Sequence, residues 1–413
     1  MMGAKAKVLA VDCLFEGGRM FVGAVSVAYL LKLGYPPSTV AFLKLVQSVV
    51  VLLGEFPSGV ISDFFGRKLS LLWSVVSSAL GFLCFMHGAH IAVLIVGEAL
   101  LALALCLWSG SYEAWALEVG KVRDEDIKEF FHTNSSLNQF SVLTAGLLGG
   151  IIAGQEGLYR YAYLASFLSM AFLFAFLLIA PRGGSNRQRR DKTTASSVIM
   201  SLVADAKTSI SVVSSTRALV SAMVLMVAAQ FSVQPMLHYW QPLVSTVFGE
   251  NGVVFGIFFA AFCGGSAIVS WIFRKSPFDN SLRLFFVWTL LLAFVGLSHN
   301  KFFVSVTLIA SQVTYFFLKS IIGSHVAANA PAEYRASILS FTSLISRAGM
   351  LGSLLAMAIV LEFFEADGAG VRLLYVLIPA LSCLGLLIAR LMSGRGQRVD
   401  SVVYQRVNEI RAK

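Results

Sequence analysis

Residues 54–70, GEFPSGVISDFFGRKLS, decide how the rest of this 413-residue chain is read. They join two long apolar runs, 38–62 and 70–87, each within the 17–25 residues that carry a helix across a bilayer. A tight connection between two such helices needs backbone freedom, which Gly59 and Gly66 supply. Arg67 and Lys68 place two cations at its exit, and cations mark the side of a membrane on which a loop stays. Asp63 is an acceptor suited to the positive end of another helix.

The pattern of these two runs repeats along the chain. Hydrophobic residues make up 57% of the sequence and charged residues only 13%, where a soluble protein carries about 25%. Apolar runs fall at 8–32, 38–62, 70–87, 91–117, 134–154, 159–180, 217–246, 252–273, 283–298, 302–324, 335–361 and 371–392. Twelve spans describe a polytopic membrane protein with both ends on one side. Nearly all loop Lys and Arg lie on that side, and only Lys32, Arg160, Lys301 and Arg372 fall on the other, so both termini are expected in the cytoplasm. The first run is interrupted by charges and continues past residue 30, so it does not read as a removable signal peptide. Cys13, Cys84, Cys106, Cys263 and Cys383 all lie in apolar runs without a CxxC or a His at ligand spacing, and read as packing residues, with no metal site or cofactor. The charge distribution accounts for the net +10 without nucleic acid.

The first run, VLAVDCLFEGGRMFVGAVSVAYLLKL (residues 8–33), carries Asp12, Glu16 and Arg19 within roughly 60° on one helical face. An unpaired charge at mid-bilayer costs at least about 2.5–3.5 kcal/mol, so this stripe faces protein or water. It reads either as a Glu16–Arg19 ion pair holding two helices in register or as a protonatable carboxylate in a transport path. Burial favours the neutral form of Glu16 and Arg19 favours the charged one. An anion that drew Arg19 away would then promote proton binding, and the reverse. Asp12, nearer the cytoplasm, is placed to pass the proton on.

Charge inside the spans is uneven. The carboxylates Asp12, Glu16, Glu98 and Glu113, with Glu55 near an edge, all lie in the first half of the chain, whereas Lys319 and Arg347 lie in the second. In the seventh run Gln230, Gln234, His238 and Gln241 form a stripe within roughly 80°, broken by Pro235 and Pro242. In the tenth, Gln312, Tyr315 and Lys319 share a face; in the eleventh, Ser340, Ser343 and Arg347 do. Plainer readings stand beside these: a Gln bonding across a helix pair for about 0.6 kcal/mol, or a packed His238. Lys319 and Arg347 need partners from the first half, from backbone carbonyls or from an anionic substrate. Glu118 is expected to pair with Arg67 or Arg123.

Gly59, Asp63, Gly66, Arg67 and Lys68, with Phe64 in place of the usual basic residue, match G-x-x-x-D-[RK]-x-G-[RK]-[RK]. By this loop signature between the second and third helices the chain resembles the major facilitator superfamily. SGSYEAWALE (residues 109–118) and YRASILSFTSL (334–344) are similar to stretches of its bacterial exporters. WIFRKSPFDN (271–280) keeps only the cations of the equivalent second loop, and Gly146, Gly149, Gly150 and Gly154 occur without the proline of the antiporter motif.

The resemblance implies an all-α fold of twelve membrane helices in two six-helix halves, 1–180 and 217–392, with a cytoplasmic linker at 181–216 and a tail at 393–413. Within the linker, 195–215 reads as a membrane-surface helix or a plain connection. In this superfamily the first, fourth, seventh and tenth helices line a central cavity. Proton coupling is then expected at Asp12, Glu16, Glu113 and Glu98. Substrate contacts are expected at Arg19, Gln230, Gln234, His238, Gln241, Gln312, Tyr315, Lys319 and Arg347, and gating at Gly59, Asp63, Gly66, Arg67 and Lys68. The expected function is proton-coupled export of a small amphipathic anion, siderophore-like or drug-like, by a monomer in a bacterial inner membrane. The alternatives are a flippase for an anionic lipid-linked substrate and a non-transporting receptor. No HExxH, GxSxG or P-loop pattern points to an enzyme.

Overall fold

A computed structural model describes residues 3–88, 90–109, 111–154, 157–180, 213–214, 216–272, 280–331, 335–364 and 369–389, without the side chains of 55–65, 124, 128, 270–271, 335–337 and 339–340. The expected tail and surface helix, and all of the linker but 213, 214 and 216, lie outside these residues.

The described chain is a succession of α-helices. The first half contains α1 (Ala4–Met20), α2 (Ser26–Lys32), α3 (Pro37–Phe65), α4 (Arg67–Met86), α5 (Ile91–Ser109), α6 (Tyr112–Gly120), α7 (Ile127–Ala153) and α8 (Arg160–Ile179). The second contains α9 (Arg217–Phe248), α10 (Gly252–Ile272), α11 (Ser281–Leu297), α12 (Lys301–Asn329), α13 (Arg335–Phe363) and α14 (Ala369–Ala389). Ten helices are long and apolar enough to cross a membrane, and α11 is a shorter apolar helix of 17 residues. The remaining crossing is α1 with α2. Hydrogen bonding within helices satisfies the backbone where no water can, which is why so apolar a chain is helical throughout its described spans. Twelve crossings return the chain to the side on which it began; that side is called near below, and the other far.

The connections follow the sequence expectation with two refinements. A single residue, Gly66, separates α3 from α4, and its φ of 97° lies where a side chain is strained. The first crossing is not continuous: helix gives way at 21–25, between α1 and α2. The fourth is interrupted after Ser109, and α6 starts at Tyr112.

Each half is built around its own buried contacts: α4 packs against α5 and α8, α1 against α7 and α8, and α12 against α9 and α11. The halves meet through α7 with α10, α3 with α13, and α2 with α9. Of the glycines singled out in the fifth run, Gly146 and Gly150 face α10 and Gly154 bonds its start, whereas Gly149 abuts the Phe21 backbone at the break in the first crossing. A Cβ on Gly150 would lie 2.5 Å from the Gly252 carbonyl oxygen and 2.6 Å from Gly256 Cα. Phe259 of α10 occupies a notch against Gly146 and Gly23. On the far side Gly252 N–H donates to the Gly154 carbonyl at 2.9 Å. These glycines therefore let two backbones touch, as small residues do in membrane interfaces.

Gly150→Ala is expected to overpack this seam by about 1–3 kcal/mol, read as a lower unfolding midpoint in detergent. Gly264→Ala, where the nearest atom stands at 3.5 Å, is expected to leave the midpoint unchanged. Equal midpoints for both variants would remove the seam from the account.

Candidate functional site

The charged stripe of the first crossing resolves into two different environments. Asp12 is buried and accepts three hydrogen bonds, from Trp108 Nε1 at 2.9 Å, Asn134 Nδ2 at 2.6 Å and Asn138 Nδ2 at 2.5 Å. The Tyr112 hydroxyl adds to the network, its one proton shared between two acceptors at 3.2 Å, the Val8 carbonyl and Asn134 Oδ1. Asp12 thus ties α1 to α5 and α7. One turn farther on, Glu16 keeps 29% of its side-chain surface exposed and pairs only with Arg19, at 3.3 Å, among the described residues. Arg19 lies over the Phe15 ring at 5.3 Å, Phe15 stacks on Trp108 at 3.7 Å, and Trp108 stacks on Tyr112 at 5.4 Å. The aromatic ladder positions Arg19 and Asp12 from one indole: its face carries the guanidinium through Phe15, and its N–H holds the carboxylate.

The other candidate carboxylates diverge. Glu98 is fully buried, with Oε1 2.5 Å from Lys44 Nζ, so α5 and α3 are joined by an ion pair inside the span. Glu113 is exposed on α6. Glu118 accepts from Arg67 at 3.1 Å, the pairing expected from sequence.

The α9 stripe runs the length of the bundle and its members part company along it. Gln230 Oε1 accepts from Tyr315 at 3.0 Å. Gln234 is fully buried and donates to its own helix, at the Gln230 carbonyl. His238 lies within electrostatic reach of Lys44. Gln241 closes the gap between α1 and α2: its Oε1 accepts from Val27 N and Ala28 N, each at 2.9 Å, and its Nε2 donates to the Gly23 carbonyl at 3.1 Å. The neighbouring Tyr239 donates to the Pro37 carbonyl at 2.5 Å. These bonds join the halves on the far side.

Nearer the termini, α9, α12 and α13 enclose a cavity of about 340 Å³ whose wall includes Gln230, Lys319, Thr342, Ser343, Ser346 and Arg347. Lys319 is exposed to it, and among the described residues lining it there is no carboxylate. Gln312 and Tyr315, on the same helix as Lys319, are buried behind it. Ser340 belongs to the side chains outside the description.

Of the loop signature, Gly59 and Asp63 lie in α3 but outside the described side chains. Arg67 donates to Glu118 and to the Ala114 carbonyl at 3.3 Å; Lys68 donates to the Leu178 and Ala180 carbonyls at 3.1 and 2.6 Å. The latter two sit at the negative end of α8, where a cation is favoured. At the adjoining loop, Lys5 and Arg123 hold the Asp126 carboxyl below its ordinary range. That tie favours the fold above about pH 4 and is lost as pH falls through the lowered value.

Sequence reading missed the Lys44–Glu98 pair and the three donors to Asp12. The spacing of Asn134 and Asn138, four residues apart on an apolar helix, was the available signal for the second. Lys44→Met, which strands a buried carboxylate, is expected to cost about 3–5 kcal/mol in denaturant unfolding. Lys44→Met with Glu98→Leu is expected to recover most of that. A Lys44→Met protein as stable as the parent would show that the pair does not hold α3 to α5.

Comparison with known proteins agrees with this architecture. A family profile described as Major Facilitator Superfamily matches residues 13–354. An "uncharacterized MFS-type transporter YxaM" of Bacillus subtilis (strain 168) is 29% identical over 153 residues, 37% of this chain and 34% of that protein. The matched stretch therefore spans about a third of that relative's length. Among solved structures, the nucleoside transporter NupG superposes with a TM-score of 0.76 at 11% identity, covering 95% of this chain and 99% of that one. A D-xylose–proton symporter gives 0.65 at 12% identity over 92% and 96% of the two chains. A bacterial homologue of the human lysosomal transporter Spinster, inward-facing and unoccupied, gives 0.69 at 12% identity over 94% of each. With twelve crossings in two halves, a polar cavity between membrane helices and a family match over most of its length, this chain belongs to the Major Facilitator Superfamily and is an integral membrane protein.

Proposed function

We propose that this protein moves a small organic anion in exchange for protons, and that it exports it. The observation that carries the reading is the cavity of α9, α12 and α13, where Lys319 faces open space with no ion-pair partner among the described residues and Arg347 lines the same cavity from α13. A cation kept inside a bilayer at this cost, without a carboxylate beside it, is explained by a negatively charged cargo. Gln230 adds a polar contact from α9.

Glu16 is the coupling carboxylate of this proposal. It is partly accessible and has one cationic partner, whereas Asp12 is occupied by three donors, Glu98 by Lys44, and Glu113 lies at the surface. Proton binding at Glu16 releases Arg19, and an anion that engages Arg19 leaves Glu16 free to take a proton. The two ligands thus reinforce one another, as reciprocity requires. The near side, which carries the basic loops, is assigned to the cytoplasm. Asp63, Gly59, Gly66 and Arg67 are assigned to the outward-facing state, where they would tie the halves together on that side.

A second reading, an anion with a lipid tail, is favoured by one observation. An apolar groove of about 530 Å³, lined by Met223, Val227, Phe231, Ile345 and Leu386 among others, lies between α9, α13 and α14. It draws on the same two helices, α9 and α13, that wall the cation cavity.

Proteoliposomes with an imposed pH gradient test the proposal. The gradient is expected to drive transport of carboxylated compounds by the parent protein, and Glu16→Gln to abolish the gradient's effect while exchange of substrate persists. Lys319→Gln is expected to weaken anionic substrates about tenfold or more and neutral ones little. A gradient that drives Glu16→Gln as well as the parent removes Glu16 from coupling. Equal losses for charged and neutral compounds in Lys319→Gln, with a lower unfolding midpoint, make Lys319 structural.

A further inference from the structure

The hydroxyl and amide groups of the cation cavity restrict its cargo further, on the footing that the cargo is an anion. Thr342 Oγ1 donates its proton to the Ile338 carbonyl at 2.8 Å, and Ser346 Oγ donates to the Ser343 carbonyl at 2.7 Å. With their protons committed to the α13 backbone, both hydroxyls present lone pairs to the cavity and act there as acceptors. On the other two helices of the cavity the polarity is reversed. Gln230 Oε1 accepts the Tyr315 proton at 3.0 Å, which leaves Nε2, a donor, as the free end of the amide. Lys319, on α12, is donor only; Arg347, also donor only, stands on α13 with the hydroxyls. The site thus combines donors on α9 and α12 with acceptors on α13, one turn apart at Thr342 and Ser346, and with Arg347 next in the chain to the second.

A purely apolar anion satisfies the donors and leaves the hydroxyl lone pairs of Thr342 and Ser346 without donors. A cargo that meets both carries an acidic group for Lys319, Arg347 and Gln230, and hydrogen-bond donors a few bonds away for Thr342 and Ser346. Those donors are hydroxyls rather than an ammonium group, because a cation at that position would sit beside Arg347. Size points the same way. A volume of 340 Å³ equals roughly eleven water molecules at ~30 Å³ each, the scale of a compact molecule with about a dozen heavy atoms. We propose that the cavity of Lys319, Arg347, Gln230, Thr342 and Ser346 binds a hydroxylated organic acid of sugar-acid size.

Unfolding midpoints of the purified full-length protein in detergent test this, since a ligand that binds the folded state raises the midpoint. The probes are gluconate and its epimer galactonate, hexanoate, which keeps the carboxylate and chain length but has no hydroxyl, and sorbitol, which has the hydroxyls but no charge. All are compared at matched ionic strength. At least one aldonate is expected to stabilise the protein at concentrations about tenfold or more below those needed of hexanoate or sorbitol. Hexanoate acting as strongly as the aldonates overturns the hydroxyl requirement and leaves the anion reading standing. Sorbitol acting as strongly overturns both. No shift with either aldonate up to the ~100 mM that saturates a millimolar site overturns the proposal, whatever hexanoate does. Thr342→Val and Ser346→Ala are expected to lower the aldonate-over-hexanoate ratio at least about threefold each, and Thr342→Ser, which keeps the acceptor, to preserve it. Ratios unchanged in Thr342→Val and Ser346→Ala variants whose ligand-free midpoints match the parent's would also overturn it.

Discussion

A charged side chain within hydrocarbon must find an opposite charge, a set of hydrogen bonds or water, and most of this structure follows from how each one does so. Lys44 and Glu98 find each other at 2.5 Å and join α3 to α5. Asp12 finds three N–H donors and joins α1 to α5 and α7. Arg19 finds Glu16 and the face of Phe15. Each solution in the first half is internal to that half; Asp12 and Glu98 act as rivets of a rigid body, while the Glu16–Arg19 pair stays partly open. Lys319 is handled differently, with a cavity instead of a carboxylate. The contrast between satisfied anions and a cation left facing open space sets the ties that hold shape apart from the cavity proposed to meet a ligand.

The contact between the halves is equally lopsided. Gln241, Tyr239, Gly252 and the glycines of α7 join the two bodies toward the far side, while the cation cavity lies nearer the termini. Two bodies that meet along helix pairs, with their polar ties gathered toward the far side, are suited to rocking about that seam. The seam is made of backbone against backbone. Its close packing at Gly150 and Gly256 makes the closed arrangement a discrete state rather than a soft continuum.

How far the sequence carried this reading differs by feature. Apolar run length located the spans to within a few residues in most cases, because bilayer thickness imposes it; the fifth was shortened, since the polar start of α7 from Ile127 to Thr133 gives no hydropathy signal. The loop signature foretold a tight turn, and a one-residue turn at Gly66 is what forms. The partners of charges were less legible. Glu16–Arg19 and Glu118–Arg67 followed from spacing or from loop proximity. Lys44–Glu98 joins residues 54 positions apart, and Gln241 reaches 214 positions back to Val27, so nothing local in the sequence encodes either. The Gln and His residues of the seventh span shared a face as expected, but a face on a 32-residue helix passes through several environments. Shared periodicity did not mean shared function.

The break in the first crossing at 21–25 keeps two turn bonds, Gly23 N–H to Met20 and Val25 N–H to Val22, but leaves other backbone groups without helical partners where water is scarce. Gln241 supplies the missing partners with both ends of one amide, accepting from Val27 and Ala28 and donating to Gly23. Three such bonds contribute a net amount of about 1.5–4.5 kcal/mol in ordinary circumstances. That is enough to favour the closed far side strongly, and small enough for a bound ligand to reverse, because moving a two-state equilibrium from 1:99 to 99:1 takes about 5.5 kcal/mol of differential affinity. If the far side opens, water must take over what Gln241 provided, and 21–25 becomes the place where the chain is free to readjust. That segment begins two residues after Arg19. The same short stretch of the first crossing therefore carries the Glu16–Arg19 pair at one end and the tie between the halves at the other, so a change in the charge state of the pair and a change in the seam act on one piece of backbone.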